Sequence, residues 1–159
     1  MKYNKIQITL VCMFVIVLFS GCFNRPKHTE IKVSFANHTW NRFEPMDATF
    51  DIDKTDKTYE VAVYLGVIDG FELDNVPLEI VITSPSGQKN ILDRTVIVKK
   101  DGNYLGKAYG DVWTTRQIVY PAKQFSHAGT YAVSIQNRTQ YYDLYNTESL
   151  TFIVRPVKK

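Results

Sequence analysis

Residues 101–113, Asp-Gly-Asn-Tyr-Leu-Gly-Lys-Ala-Tyr-Gly-Asp-Val-Trp, place three glycines and a lysine close together, the ingredients of a loop that cradles phosphate. A Walker-type loop needs four residues between its glycines, then a lysine, then a Ser or Thr to hold magnesium. Here three residues separate Gly102 from Gly106, and Lys107 is followed by Ala108, which has no oxygen to offer. The other chemistry-bearing residues are as sparse. His28, His38 and His127 lack the close spacing and flanking carboxylates of a metal site. No serine sits in a Gly-x-Ser-x-Gly elbow. Asp69, Glu72 and Asp74 cluster between Ile68 and Asn75, but without the ligand spacing of a calcium-binding hand, so solvated charge is the expected role. No cofactor and no catalytic group is expected.

Cys22 carries the clearest chemistry. Lys2 and Lys5 precede ten unbroken apolar residues, Leu10 to Phe19, and then Ser20-Gly21-Cys22. A charged start, an apolar run of this length and a small-residue site form a secretory signal, whereas a membrane span takes about 20 apolar residues. The Ser20-Gly21-Cys22 junction resembles a bacterial lipobox, in which the cysteine is acylated and becomes the first mature residue. The alternative is plain secretion with a free thiol. Each buried methylene adds roughly 0.8 kcal/mol, so a multiply acylated Cys22 would stay in the bilayer. The expected organisation is a signal over residues 1–21, an acylated cysteine and polar tether over 22–30, and one domain over 31–159. Phe23 after the cysteine, in place of the aspartate that holds some lipoproteins at the inner membrane, favours the outer membrane. The lack of an acidic run in the tether favours its periplasmic face.

Removing residues 1–21 leaves 138 residues and a single cysteine, so no intrachain disulfide can form and the exported domain must rest on its core. A chain of this size buries roughly 68% of its unfolded surface, enough for that purpose. The full sequence has a net charge of +3, and loss of Lys2 and Lys5 leaves 17 basic against 16 acidic residues. Such a balance argues against a nucleic-acid partner, which calls for a basic stripe.

The elements that must position these residues are strands. From Ile31 onward apolar residues recur with period two, as in Ala48, Phe50 and Ile52 and again in Tyr59, Val61, Val63 and Leu65. Val76 to Thr83 leads into Ser84-Pro85-Ser86-Gly87, a tight-turn sequence. Ile91 to Val98, Val112 to Tyr120, Tyr131 to Ile135 and Leu150 to Val154 complete about eight strands, and no segment of the mature chain has helical periodicity. The fold class is all-β, an immunoglobulin-like or jelly-roll antiparallel sandwich. Gly129 and Tyr131 resemble the tyrosine corner of immunoglobulin-like sandwiches, and equally fit any Gly-x-Tyr turn into a strand. Trp40, Trp113, Tyr141, Tyr142 and Tyr145 fall at or near expected loops, where aromatics anchor a partner or stack on sugars if exposed, or else fill the core and pair across strands. Trp113, within a strand pattern, is expected in the core.

The stretch Gly106 to Gln136 resembles the central block of the gliding-motility lipoprotein H (GldH) family of Bacteroidota. Gly106, Lys107, Gly110 and Asp111 match its Gly-Lys-x-x-Gly-Asp block, Arg116 and Tyr120 fall where similar residues occur, and Gly129 with Tyr131 match its last strand. Trp40, Phe50, Pro85-Gly87 and Cys22 lie in family-like order. The resemblance implies a lipid-anchored envelope protein of β-sandwich type without enzymatic chemistry, acting through other envelope proteins. Read from its residues, the block Gly106, Lys107, Gly110 and Asp111 is a structural loop, in which Asp111 satisfies loop N–H groups and pairs with Lys107, and a docking surface is its additional candidate role. Tyr141, Tyr142 and Tyr145 are the remaining candidates for partner contact, or for glycan binding as the alternative function.

Overall fold

The computed structural model describes residues 28–157. The signal segment, Cys22 and the tether through Lys27 lie outside the described residues. In chain order the elements are β1 (Thr29–Ser34), a turn of 3-10 helix (Ala36–His38), β2 (Thr39–Asn41), β3 (Met46–Ile52), β4 (Thr58–Ile68), β5 (Asn75–Thr83) and β6 (Lys89–Ile97). There follow β7 (Lys99–Lys100), β8 (Asn103–Tyr104), β9 (Lys107–Tyr109), β10 (Val112–Gln124), β11 (Gly129–Asn137), β12 (Asp143–Tyr145) and β13 (Thr147–Pro156). Eight of the strands have six residues or more and five have two or three. β1 already begins at Thr29, inside the stretch assigned to the tether, because Thr29 pairs with Val154.

The long strands form two sheets, β1-β13-β4-β10, extended by β9, and β3-β11-β5-β6. Numbered among the long strands alone, the first pairs with the eighth, the second with the seventh, the third with the sixth and the fourth with the fifth, all antiparallel. That is one long hairpin folded over on itself, with its tip between β5 and β6, and it is the order of a jelly roll. In an immunoglobulin sandwich the first, second, fourth and fifth strands share a sheet. Of the two sandwich arrangements, the strand order selects the jelly roll.

Alternation explains which face each strand buries, since successive side chains point to opposite sides. β4 buries Tyr59, Val61, Val63, Leu65 and Val67, and β5 answers from the other sheet with Val76, Leu78, Ile80 and Ile82. Phe50 of β3 bridges the layers, 5.4 Å from Phe152 of β13, and within its own sheet it stacks 5.4 Å from Tyr131 of β11. Phe125 meets Tyr59 and Tyr131 edge to face at 5.8 and 4.9 Å, a geometry that suits the ring quadrupoles.

Trp40 departs from expectation. It is fully buried, stacked on Phe35 at 4.9 Å, with its indole N–H donating to the Glu44 carbonyl. It is core, not a loop aromatic, because three-residue β2 pairs with β12 and turns Trp40 and Leu144 inward together. Between β5 and β6 the Gly87 N–H donates to the Ser84 carbonyl, and the Gln88 N–H to Ser84 Oγ, closing the tight turn.

Candidate functional site

The glycines of residues 101–113 do three different jobs. Asp101 and Gly102 both take positive φ, 53° and 78°, as the two-residue turn joining β7 to β8 requires. Gly106 lies against β10: a Cβ there would stand 2.6 Å from the carbonyl carbon and oxygen of Thr114 and 2.8 Å from Thr115 Oγ1. Gly110 turns β9 into β10 and leaves Tyr109 at the hairpin tip, 88% exposed. Lys107 and Asp111 are exposed, and among the described residues no ion pair joins them. The Asp111 backbone serves instead, its carbonyl accepting the Asp69 N–H at 3.2 Å.

That bond belongs to a junction around the Asp69-Gly70 turn. Asp69 Oδ1 accepts the indole N–H of Trp113 at 2.7 Å, and Trp113 is half-buried, packed against the core and stacked on Tyr104 at 5.0 Å. The Ile68 N–H donates to the Asn146 carbonyl, and Asn146 Nδ2 donates to Gly70 O. The structure therefore brings Asp111 and the Tyr145-Asn146 bend to the same turn. Asp69, Glu72 and Asp74 do not converge. Lys99 Nζ donates to the Phe71 and Glu72 carbonyls and stands 3.8 Å from the Asp74 carboxylate, while Asp69 serves Trp113.

Tyr141, Tyr142 and Tyr145 are exposed around the β2–β12 ribbon. Leu144 points inward, so its neighbours on the strand, Asp143 and Tyr145, point away from the core. Tyr142, 68% exposed, meets Phe43 at 5.7 Å with the rings tilted by 42°. The Arg42 N–H donates to the Tyr142 carbonyl at 2.8 Å, and the Arg42 guanidinium lies over the Phe43 ring. Phe43 gave no sequence signal of its own, since nothing local says that a residue after β2 will meet one before β12.

A third group lies on the outer face of the five-stranded sheet. Glu60 of β4 holds two arginines with one carboxylate oxygen: Arg116 of β10 through Nη2, and Arg155 of β13 through Nη2 at 2.8 Å. The bond from Arg116 is the main reason the Glu60 carboxyl lies below its ordinary range, and the same bond raises Arg116. Arg116 also lies over the Tyr64 ring. Beside this group opens a cleft of about 680 Å³ lined by Lys107, Arg116, Arg155, Tyr64, Ile97 and Leu105. Gly106 and Thr115 also line it, and Thr115 is 8% exposed with an Oγ1 that has no hydrogen-bond partner. So the structure seats Gly106 and Lys107 in the cleft, whereas Gly110 and Asp111 belong to the turn at the other end of β9. Period two places Glu60 and Arg155 outward in their strands, but the triad forms only when β4 is flanked by both β10 and β13.

The Tyr131 hydroxyl donates to the His127 carbonyl four residues upstream at 3.0 Å, and Gly129, at φ 125°, passes Pro85 where a Cβ would come within 3.2 Å. His38 bonds Glu148 at 2.6 Å, far along the chain from Ser126 and His127, which contact each other.

Comparison with known proteins adds an identity. A solved structure from Sulfurospirillum deleyianum aligns with 82% of this chain and 99% of its own, at TM-score 0.44 and 12% identity. The VP2 subviral particle of infectious bursal disease virus aligns with 84% of this chain and 33% of its own, at TM-score 0.40 and 10% identity. Likenesses of this size carry no weight for function. A protein of Christiangramia forsetii named as a gliding motility lipoprotein GldH homolog is 25% identical over 129 residues, spanning 79% of this chain and 76% of the relative. The GldH lipoprotein family model matches residues 27–152, from just before β1 into β13. The chain belongs to the GldH lipoprotein family.

Proposed function

We propose that this protein is a non-enzymatic component of the cell envelope, anchored through acylated Cys22 in the outer membrane and facing the periplasm, where it acts by binding other envelope proteins. Family membership and the relative named for gliding motility support a role of that kind. The observation that carries the reading of protein contact is the number of large apolar side chains left in solvent, among them Tyr109, Leu105, Ile97, Phe43, Tyr142 and Tyr145. Aromatic anchors of this kind supply most of the binding energy where proteins meet.

Two measurements test it. Radiolabelled palmitate enters the wild-type protein and not the Cys22→Ala variant; equal labelling removes the anchor. Crosslinking in intact cells, followed by mass spectrometry, yields recurrent adducts with envelope proteins; a protein recovered only as uncrosslinked monomer overturns the binding role.

Glycan binding is a second reading, favoured by the exposure of Phe43, Tyr142 and Tyr145. The 42° tilt between Phe43 and Tyr142 gives a sugar ring no shared flat platform, which ranks it second. Retarded migration in gels containing polysaccharide, lost in Tyr142→Ser, would reverse that order.

A further inference from the structure

We infer that the cleft between β9 and β6 takes an extended acidic peptide segment of a partner protein, which adds as a short strand to the open edge of β10. The inference rests on the protein-contact reading above and names the chemistry of the partner.

The edge is open over a defined length. β10 pairs with β9 only from Val112 to Thr114, and Gly106 then lies against Thr114 and Thr115 before the chain turns away. Further along, β6 closes over the strand: Arg94 Nη2 donates to the Val119 carbonyl at 2.9 Å, and Asn90 bonds the Tyr120 hydroxyl. Between these clasps, at Arg116 to Ile118, no strand lies on the outer side of β10 among the described residues. Unpaired strand edges invite another strand, and main-chain bonding to such an edge is a recurrent mode of peptide recognition.

The side chains around the gap specify what that strand carries. Residues directly opposite each other in an antiparallel pair share a face, and residues two apart on one strand share it again. Lys107 stands opposite Thr114, so a guest residue opposite Arg116 would project on the face that carries Lys107, Arg116 and Arg155. Three cations meet there with one carboxylate, Glu60, to balance them. Each arginine contacts Glu60 through Nη2, and a guanidinium has five N–H donors, so donors remain for an arriving carboxylate. The flanking guest residues would turn toward Ile97 and Leu105, which suits apolar side chains.

An anionic lipid headgroup is the competing occupant, and the apolar wall at Ile97 and Leu105 argues against it, since that wall offers nothing to a bare phosphate.

Fluorescence anisotropy with the full chain in detergent micelles tests this, using a labelled, capped heptapeptide that alternates glutamate with valine. The glutamine counterpart and a backbone N-methylated version are the controls. The acidic peptide is expected to bind, each control to bind roughly tenfold more weakly, and the Lys107→Gln/Arg155→Gln variant to lose about tenfold while keeping its melting temperature. Equal binding of the glutamine peptide removes the acidic specificity, and equal binding of the N-methylated one removes strand addition. Displacement of the peptide by phosphatidylglycerol vesicles assigns the site to lipid and overturns the inference. No peptide binding, alongside adducts to envelope proteins in cells, overturns the acidic site and leaves the protein-contact role standing. Loss of the adducts as well overturns both.

Discussion

Two aromatic groups in this chain have similar composition and opposite surroundings. Phe50, Phe125, Tyr131 and Phe152 come from both sheets and from the loop before β11, and all are buried. Phe43 and Tyr142 flank the short β2–β12 ribbon and stay in solvent, although Trp40 and Leu144 on the inner side of the same ribbon are buried. The first group joins the two layers and loses its contacts only if the fold opens. The second exposes area that folding does not use. Burial thus separates aromatics that carry stability from those left free to carry recognition, and substitutions at the two groups should report on different quantities.

The largest effect is expected inside. Phe50→Ala removes a ring that touches Phe125, Tyr131 and Phe152, and should cost about 3–5 kcal/mol of unfolding free energy in a denaturant titration. A loss near that of a surface substitution would break the contrast. Gly106→Ala comes next, at about 1–3 kcal/mol, because the added Cβ meets the Thr114 backbone at 2.6 Å and backbone yields poorly. An unchanged melting temperature would mean that the loop has room.

A smaller effect follows pH. The Glu60 carboxyl titrates below its ordinary range in the folded protein because Arg116, and then Arg155, bond its charged form. Its contribution is therefore present at neutral pH, above the unfolded value, and is lost as pH falls through the lower folded value. The pair is partly exposed, so Glu60→Gln should cost about 1 kcal/mol at neutral pH and make the acid limb of the stability curve shallower. A variant with an unaltered acid limb would remove Glu60 from the account. The smallest stability effect belongs to Phe43→Ser/Tyr142→Ser, within about 0.5 kcal/mol of wild type by thermal melting. A large loss there would place the pair with the core.

Much of the architecture was legible from alternation, because a strand buried on one face writes its period into the sequence. Tyr59, Val61, Val63 and Leu65 face the core as the pattern requires, and the turn at Ser84 to Gly87 joins the strands on either side of it. What escaped depends on pairing between distant segments. Trp40 read as a loop residue because three-residue β2 has no periodicity to display, and its partner β12 lies about a hundred positions away. The jelly-roll order is a matter of β1 meeting β13 and β3 meeting β11, which no local pattern encodes. Gly106 and Lys107 drew attention as a motif, yet the arginines beside them in the cleft come from β10 and β13 and share Glu60 of β4. The expected Lys107–Asp111 pair failed because Asp111 sits at the Gly110 turn, and its backbone is engaged with Asp69.

The claim that exposed residues recognise partners while buried ones hold the fold is tested most directly by photocrosslinking in living cells. A benzophenone amino acid is placed at position 109, at position 142, or at Lys54, which is exposed, as a surface control. The account predicts discrete protein adducts from position 109 or 142 and none from Lys54, with every variant melting as wild type does. Adducts equally abundant at all three positions, or at none, would contradict it.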